Sequence, residues 1–198
     1  MKSTNRRCSH CKTKVKASDA ITGGLKAFCS YECLIAYSKS ETGQKAVQSV
    51  IRKDIKERKE RLKSAGDYTK EAQAAFNKYI RVRDAEKCCI SCGNPLQSAT
   101  LGGGFDAGHY RSRGAASHLR FNLLNVHGQC KKCNRYLSGN VTDYRIGLSR
   151  RISDQQLDAI ECDNQPRKFT IEYLKRIKSI FTRRANLYER IRNKRGCN

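Results

Sequence analysis

Acid is scarce in this chain beside base. Its 198 residues hold 18 Asp and Glu against 41 Lys and Arg, a formal net charge of +23. On so short a chain, that imbalance calls for a polyanionic partner, nucleic acid foremost. Apolar length is the second shortage. Hydrophobic residues make up 38%, and no run of 18 apolar residues occurs, which leaves no candidate for a membrane-spanning helix. An anionic membrane surface could attract the charge, but nothing in the sequence would anchor the chain there. The start, MKSTNRR, lacks the apolar stretch of a signal peptide. So little apolar material predicts solvated helices and small metal-stapled modules, one ordinary domain plus a small one, not a single large core.

Cysteine, by contrast, is plentiful. Of eleven Cys, eight fall into close pairs, a pattern that favours zinc in a reducing compartment over disulfides and predicts a cytoplasmic protein, the host cytoplasm if the chain is phage-encoded. Cys8 and Cys11 form one hook and Cys29 and Cys33 another, 17 residues apart. The four predict a treble-clef-like or ribbon-like zinc module in which His10 is a bystander, because four thiolates already complete a tetrahedron. A second set, Cys89-x2-Cys92 and Cys130-x2-Cys133, encloses 37 residues, more than a simple zinc ribbon needs. Cys88 adjoins Cys89, so either could ligate. Cys89 is preferred because it makes CxxC with Cys92, and Gly93, directly after that pair, suits a knuckle turn.

Four segments follow from this pattern. Residues 1–40 form the N-terminal zinc module. Residues 41–66 form a basic linker helix with a thin apolar stripe, Val47, Ile51, Ile55 and Leu62; it spans two modules, lies along DNA, or is merely solvated. Gly66-Asp67 is expected to break it, with Asp67 or Thr69 capping the next helix. Residues 67–150 are the central unit, with an apolar helical face (Ala72, Phe76, Tyr79, Ile80), a strand from Phe105 to Tyr110, and a helix opening at the second hook and running toward Leu148. Residues 151–198 hold a short helix capped by Ser153 or Asp154 and, from about Thr170, a final helix with eleven Lys/Arg against two Glu between Arg167 and Arg195. That helix packs on the centre, pairs with its twin in a homodimer, or grips phosphates.

The contents of the bracket suit phosphodiester hydrolysis. Such chemistry needs an activated water, neutralisation of developing charge and stabilisation of the leaving oxygen. A neutral His can take the water's proton. One divalent metal can supply the rest, and a hard ion such as Mg²⁺ or Mn²⁺ wants carboxylate or amide oxygens. Asp106, His109, Asn122, Asn125, His127, Asn134 and Asn140 are of the right types.

The stretch from Cys89 to Asn134 resembles the zinc-stapled form of the HNH, or ββα-metal, endonucleases. The resemblance implies an α+β fold: a small zinc-stapled ββα core with flanking basic helices and the N-terminal zinc module. It makes His109, in His109-Tyr110-Arg111, the general base. It makes Asn125, five positions before Cys130, the residue that ties the loop and orients the base, and Asn134, directly after Cys133, a ligand of the catalytic metal where the family has His. Many relatives carry a metal-binding Asp or His directly before the base. Gly108 stands there instead, so Asp106 is the nearest carboxylate, brought to the metal by a bulge at Ala107-Gly108 or else bonded to loop amides. His127 would bind a phosphate or assist the metal, and His118 has no role. Arg111, Arg113, Arg120, Lys131, Lys132 and Arg135 flank the site and suit phosphate contacts.

Over nearly its whole length the chain resembles the phage NinG family, also called Rap, through DAGHYRSRG, the LRFN–NVHGQC–CNRYLSGN run, the N-terminal Cys module and the charged helix. The resemblance implies a role in phage recombination and metal-dependent, structure-specific cutting of branched DNA such as Holliday junctions and D-loops. Two other readings stand beside it: a non-catalytic zinc-dependent DNA binder, and a mediator that recruits other recombination proteins.

Overall fold

The computed structural model describes residues 5–23, 26–96 and 104–195. The chain divides into two compact units, 1–63 and 64–198.

In the first unit, β1 (Asn5–Arg7) pairs antiparallel with β2 (Lys14–Lys16), and β3 (Ile21–Gly23) with β4 (Lys26–Phe28). Three-residue strands bury little, and only Cys8, Ala27 and Phe28 are fully enclosed here among the apolar residues described. Helix α1 (Tyr31–Lys39) starts where the Ser30 hydroxyl accepts from the Cys33 amide, so one cap fixes both the helix and a cysteine. Ser40 ends α1 and caps α2 (Glu41–Arg61). Along α2 the charges pair within the helix, Arg58 with Asp54 at 2.9 Å for example. Val47, Ile51, Ile55 and Leu62 all remain exposed.

The second unit begins three residues earlier than the glycine suggests. Ser64 and Asp67 form a reciprocal capping box that opens α3 (Ala65–Arg83), so Gly66 lies inside the first helical turn and Asp67 serves as the third residue of the box, not as the cap. The apolar face of α3 packs against α6 (Ile171–Arg195). Phe76 meets Phe181 edge-on with centroids 4.7 Å apart, and Ala72, Ile80, Leu174 and Ala185 complete the contact. Of the three roles open to the last helix, its apolar face is therefore spent on packing. A second cluster joins Ile90 and Tyr110 to Tyr144 and Leu148 of α4 (Val141–Ser149) and to Leu157 and Ile160 of α5 (Asp154–Cys162). Ser153 caps α5.

A single hairpin-like pair joins these cores. β5 (Phe105–His109) runs antiparallel to β6 (Val126–Cys130) in unbroken register, Phe105 opposite Cys130 through His109 opposite Val126. Ala107-Gly108 therefore makes no bulge. After β6 the chain enters a short π-helical turn, Lys132–Tyr136. It does not continue to Leu148: Ser138, Gly139 and Asn140 all adopt positive φ (49°, 90° and 42°) and break the path before α4. Backbone of that hand costs least at Gly and Asn.

Asp84, at the end of α3, is wholly buried. Its carboxylate accepts from Arg83 (2.8 and 2.6 Å) and from the Gly128 amide of β6 (2.9 Å), with Lys87 at 2.9 Å. Burial pushes its pKa up, but the Arg83, Lys87 and Gly128 donors outweigh that and bring it down to about 2. Asp84→Ala should cost about 3 kcal/mol, because it strands a largely buried guanidinium and a buried amide; urea unfolding measures this. The ordinary value is 3.8. The wild-type contribution should thus be complete above pH 3.8 and disappear as pH falls through about 2, an acid limb that the variant lacks.

Candidate active site and metal clusters

The four thiolate sulfurs of Cys89, Cys92, Cys130 and Cys133 converge within 4.8 Å of one another, as do those of Cys8, Cys11, Cys29 and Cys33. Sulfurs bound to one zinc at about 2.3 Å stand about 3.8 Å apart on the tetrahedron's edges. Cys92 and Cys130 lie 3.8 Å apart and Cys11 and Cys29 3.4 Å, so both donor sets could hold zinc. Around the central set, backbone amides of Cys130 and Cys133 point at the sulfurs of Cys89 and Cys130, as suits negatively charged thiolates. Gly93 takes φ +73° in the knuckle. Cys88 is exposed and outside the cluster, its carbonyl accepting from Arg151 at 2.8 Å. The choice between Cys88 and Cys89 thus falls to Cys89.

Beside the central cluster opens a cleft of about 500 Å³ whose walls include Asp106, His109, Arg113, Asn134 and Arg135. β5 carries the first two and the π-helical turn the last two. His109 is mostly buried, and its Nε2 lies 3.2 Å from the Arg120 carbonyl. A carbonyl can only accept, so in the neutral ring Nε2 holds the proton and Nδ1 is the basic nitrogen. Burial lowers the His109 pKa to about 4, helped by the positive charges of Arg113 and Arg120. The ring is neutral at physiological pH.

Asn125 is fully buried. Its Oδ1 accepts from the Arg111 amide at 2.9 Å, and its Nδ2 donates to the carbonyls of Arg111 (3.1 Å) and Leu119 (3.3 Å). It ties the segment leaving His109 to the segment that supplies the Arg120 carbonyl. Across the cleft, Asp106 accepts from Asn134 Nδ2 at 3.0 Å and from Arg135 at 2.7 and 2.9 Å. The Arg135 bonds hold the Asp106 carboxyl below its ordinary range. Gly108 has a steric reason: a Cβ there would lie 2.2 Å from Gln129 Oε1. That glutamine is buried and held by Ser91 and the Gly139 carbonyl. No side chain fits directly before His109.

The other sequence candidates divide. His127 is buried outside the cleft, its Nδ1 3.4 Å from the Tyr144 hydroxyl, and burial lowers its pKa to about 3; it stands apart from the groups above. Arg111 is committed elsewhere. Its guanidinium binds the carbonyls of Ile160, Glu161 and Asp163 and the Asn164 side chain, closing the C-terminal end of α5 rather than waiting for a phosphate. Arg120 Nε is buried without a partner among the described residues. Lys131 and Lys132 do not wall the cleft, although Lys131 lies close enough to stabilise the Asp106 carboxylate. His118 bonds the Asp163 carbonyl at 2.8 Å. Asn77 and Arg81 of α3 also wall the cleft and escaped the sequence reading; their i, i+4 spacing beside the apolar face was the only signal.

Two zinc ions per chain are expected by elemental analysis of the purified protein. Cys130→Ser should lose one of them together with the cooperative unfolding of residues 64–198, since zinc binding and folding are coupled. Cys88→Ser should keep both ions and the unfolding transition.

A family model described as "Bacteriophage Lambda NinG protein" matches residues 1–190. Curated relatives carry the name Protein ninG. That of Escherichia phage lambda is 46% identical over 125 residues, covering 63% of this chain and 59% of its own length. Those of Salmonella phage P22 (45%) and Escherichia phage 933W (43%) align over the same number of residues, covering 59% and 60% of their lengths. The chain thus aligns with about three-fifths of each relative. No solved structure matches. With a family match along nearly its entire length, the chain belongs to the NinG family of bacteriophage proteins.

Proposed function

We propose that this chain is a metal-dependent endonuclease of phage recombination that hydrolyses phosphodiesters in branched DNA, with the resemblance to HNH enzymes supplying the reaction class. One observation carries the reading. A neutral, largely buried His109 has its Nε2 fixed by a backbone carbonyl and shares a cleft with a carboxylate and an amide. Nδ1 of His109 accepts the proton of the attacking water. Asn125 holds the loop that keeps the imidazole in place. Arg113 and Arg120 lower the potential energy of a phosphate beside the ring, and the net charge of +23 draws the DNA in at a strongly salt-dependent rate.

Asp106 and Asn134 would hold Mg²⁺ or Mn²⁺, oxygen donors suiting a hard ion. When bound, the metal would neutralise charge on the phosphate and stabilise the leaving oxygen. To take it, Asp106 must release the Arg135 guanidinium, which then stands free for a phosphate. His127, buried against Tyr144, is given no catalytic step. The preference for Holliday junctions and D-loops rests on the family resemblance. So does the proposal that other recombination proteins or a second copy of the chain take part.

A second reading has one observation in its favour. The Arg135–Asp106 ion pair already satisfies the carboxylate, as it would in a DNA-binding accessory protein that never takes a metal there.

Cleavage of a labelled four-way junction, a D-loop and matched linear duplex separates the two. Metal-dependent cutting of the branched substrates is expected. His109→Ala should lower it by about 10²-fold or more and leave junction binding intact; binding without turnover in either ion would select the accessory protein. The acid limb of the cleavage rate is a further check. Because the neutral ring is the active form and burial depresses its pKa, activity should persist well below pH 6.5 and be lost as pH falls through about 4.

A further inference from the structure

The segment that holds His109 has a second face. While the Arg120 carbonyl meets the catalytic ring, His118, Phe121 and Asn122 on the same segment wall another cavity of about 440 Å³, closed on its far side by Gln165, Arg167 and Tyr173. We propose that this cavity takes one unpaired nucleobase of the bound DNA, stacked on Tyr173 and Arg167, and so contributes to the recognition of branch points.

Flatness and charge carry the assignment. The Tyr173 ring lies 14° from parallel to Phe169, with centroids 5.2 Å apart. Phe169 in turn meets Phe121 at 5.3 Å and 64°, so the platform is braced from behind. The Arg167 guanidinium lies over both rings, 4.7 Å from Tyr173 and 5.6 Å from Phe169. An aromatic plane beside a guanidinium plane is a surface on which every base can stack, independent of sequence. Groups for the base's edge are present. Asn122 Oδ1 is fixed by the Leu124 amide at 2.8 Å, leaving its Nδ2 without a partner among the described residues. Gln165 offers a second exposed amide.

Asp163 also walls the cavity, bonded to the Gln165 amide and to His118, and the Arg167 guanidinium on the same wall opposes its charge. The cavity volume falls within the range of about 300–1,000 Å³ that small planar ligands use. Fully paired duplex keeps its bases stacked and cannot fill the site without the cost of extruding one; a junction or displaced strand offers bases already unpaired. The inference rests on the DNA reading above, but not on cleavage.

The full-length protein, without added Mg²⁺ or Mn²⁺, is titrated onto a single strand of about 12 nucleotides containing 2-aminopurine, and onto its duplex. The single strand's fluorescence should be quenched on binding and the duplex's should not. Tyr173→Leu should relieve the quenching and weaken strand binding at least about fivefold, with duplex binding changed by less than about twofold because phosphate contacts remain. A strand stripped of its bases should show the same loss with the unaltered protein, a comparison that no folding defect can produce. Equal binding of intact and base-free strands, or unrelieved quenching in Tyr173→Leu, overturns the proposal. So does deoxyadenosine monophosphate competing as well as the strand, which would make the cavity a free-nucleotide site. Cutting is scored separately. Quenching without cutting leaves the base site standing and removes the nuclease; cutting with equal affinity for intact and base-free strands does the reverse.

Discussion

The four central thiolates decide where everything in the cleft stands. Cys130 ends β6 and Cys133 lies in the π-helical turn, so drawing the two sulfurs together with those of Cys89 and Cys92 fixes the angle at which the turn leaves the strand. Asn134 and Arg135 follow Cys133 directly, and that angle brings both onto Asp106 of the neighbouring strand. β5 is in turn locked to β6 by five consecutive residue pairs. A chain poor in apolar residues could hold a polar cleft open this way, because a zinc ion held by these four sulfurs would contribute on the order of 10 kcal/mol that a small core would not.

Charge is divided between holding the fold and facing outward. Arg83 is consumed by Asp84 and by the Val126 carbonyl, Arg111 by the end of α5, Arg145 by Glu161, and Arg151 by the Cys88 carbonyl. Arg81 and Arg113 remain on the cleft wall, beside Arg135 in its ion pair with Asp106. A guanidinium is suited to both duties, since it stays charged and offers five donors in one plane. The same composition that signals a polyanionic partner also builds the frame, and a count of basic residues overstates the surface left for a ligand.

What could be read from residues alone follows that division. The two cysteine sets were legible because sulfur spacing is a local property of short hooks. The helices were legible from caps and apolar period, and Asn125 only through the resemblance to HNH enzymes. The start of α3 was not, because Ser64 and Asp67 cap it cooperatively and a glycine two residues inside drew attention away. The break after Tyr136 depends on three successive positive-φ residues, of which Gly139 and Asn140 are of suitable type and Ser138 gives no sign. Arg111 misled for a different reason: its partners lie about fifty residues away, at the end of α5 and just beyond it, a contact that no spacing encodes. Nor could the sequence show that Tyr144 would enclose His127.

Gly108 and Gln129 face each other so closely that neither position is independent. The glutamine's side chain occupies the space that any side chain at 108 would need, and its amide is anchored to Ser91 and Gly139, so it cannot simply swing aside. A chain evolving toward a ligand at 108 would pass through a clash if that position changed first and through an internal void if 129 shrank first. The two positions are therefore sterically coupled: a ligand directly before the histidine would need a smaller residue at 129 as well.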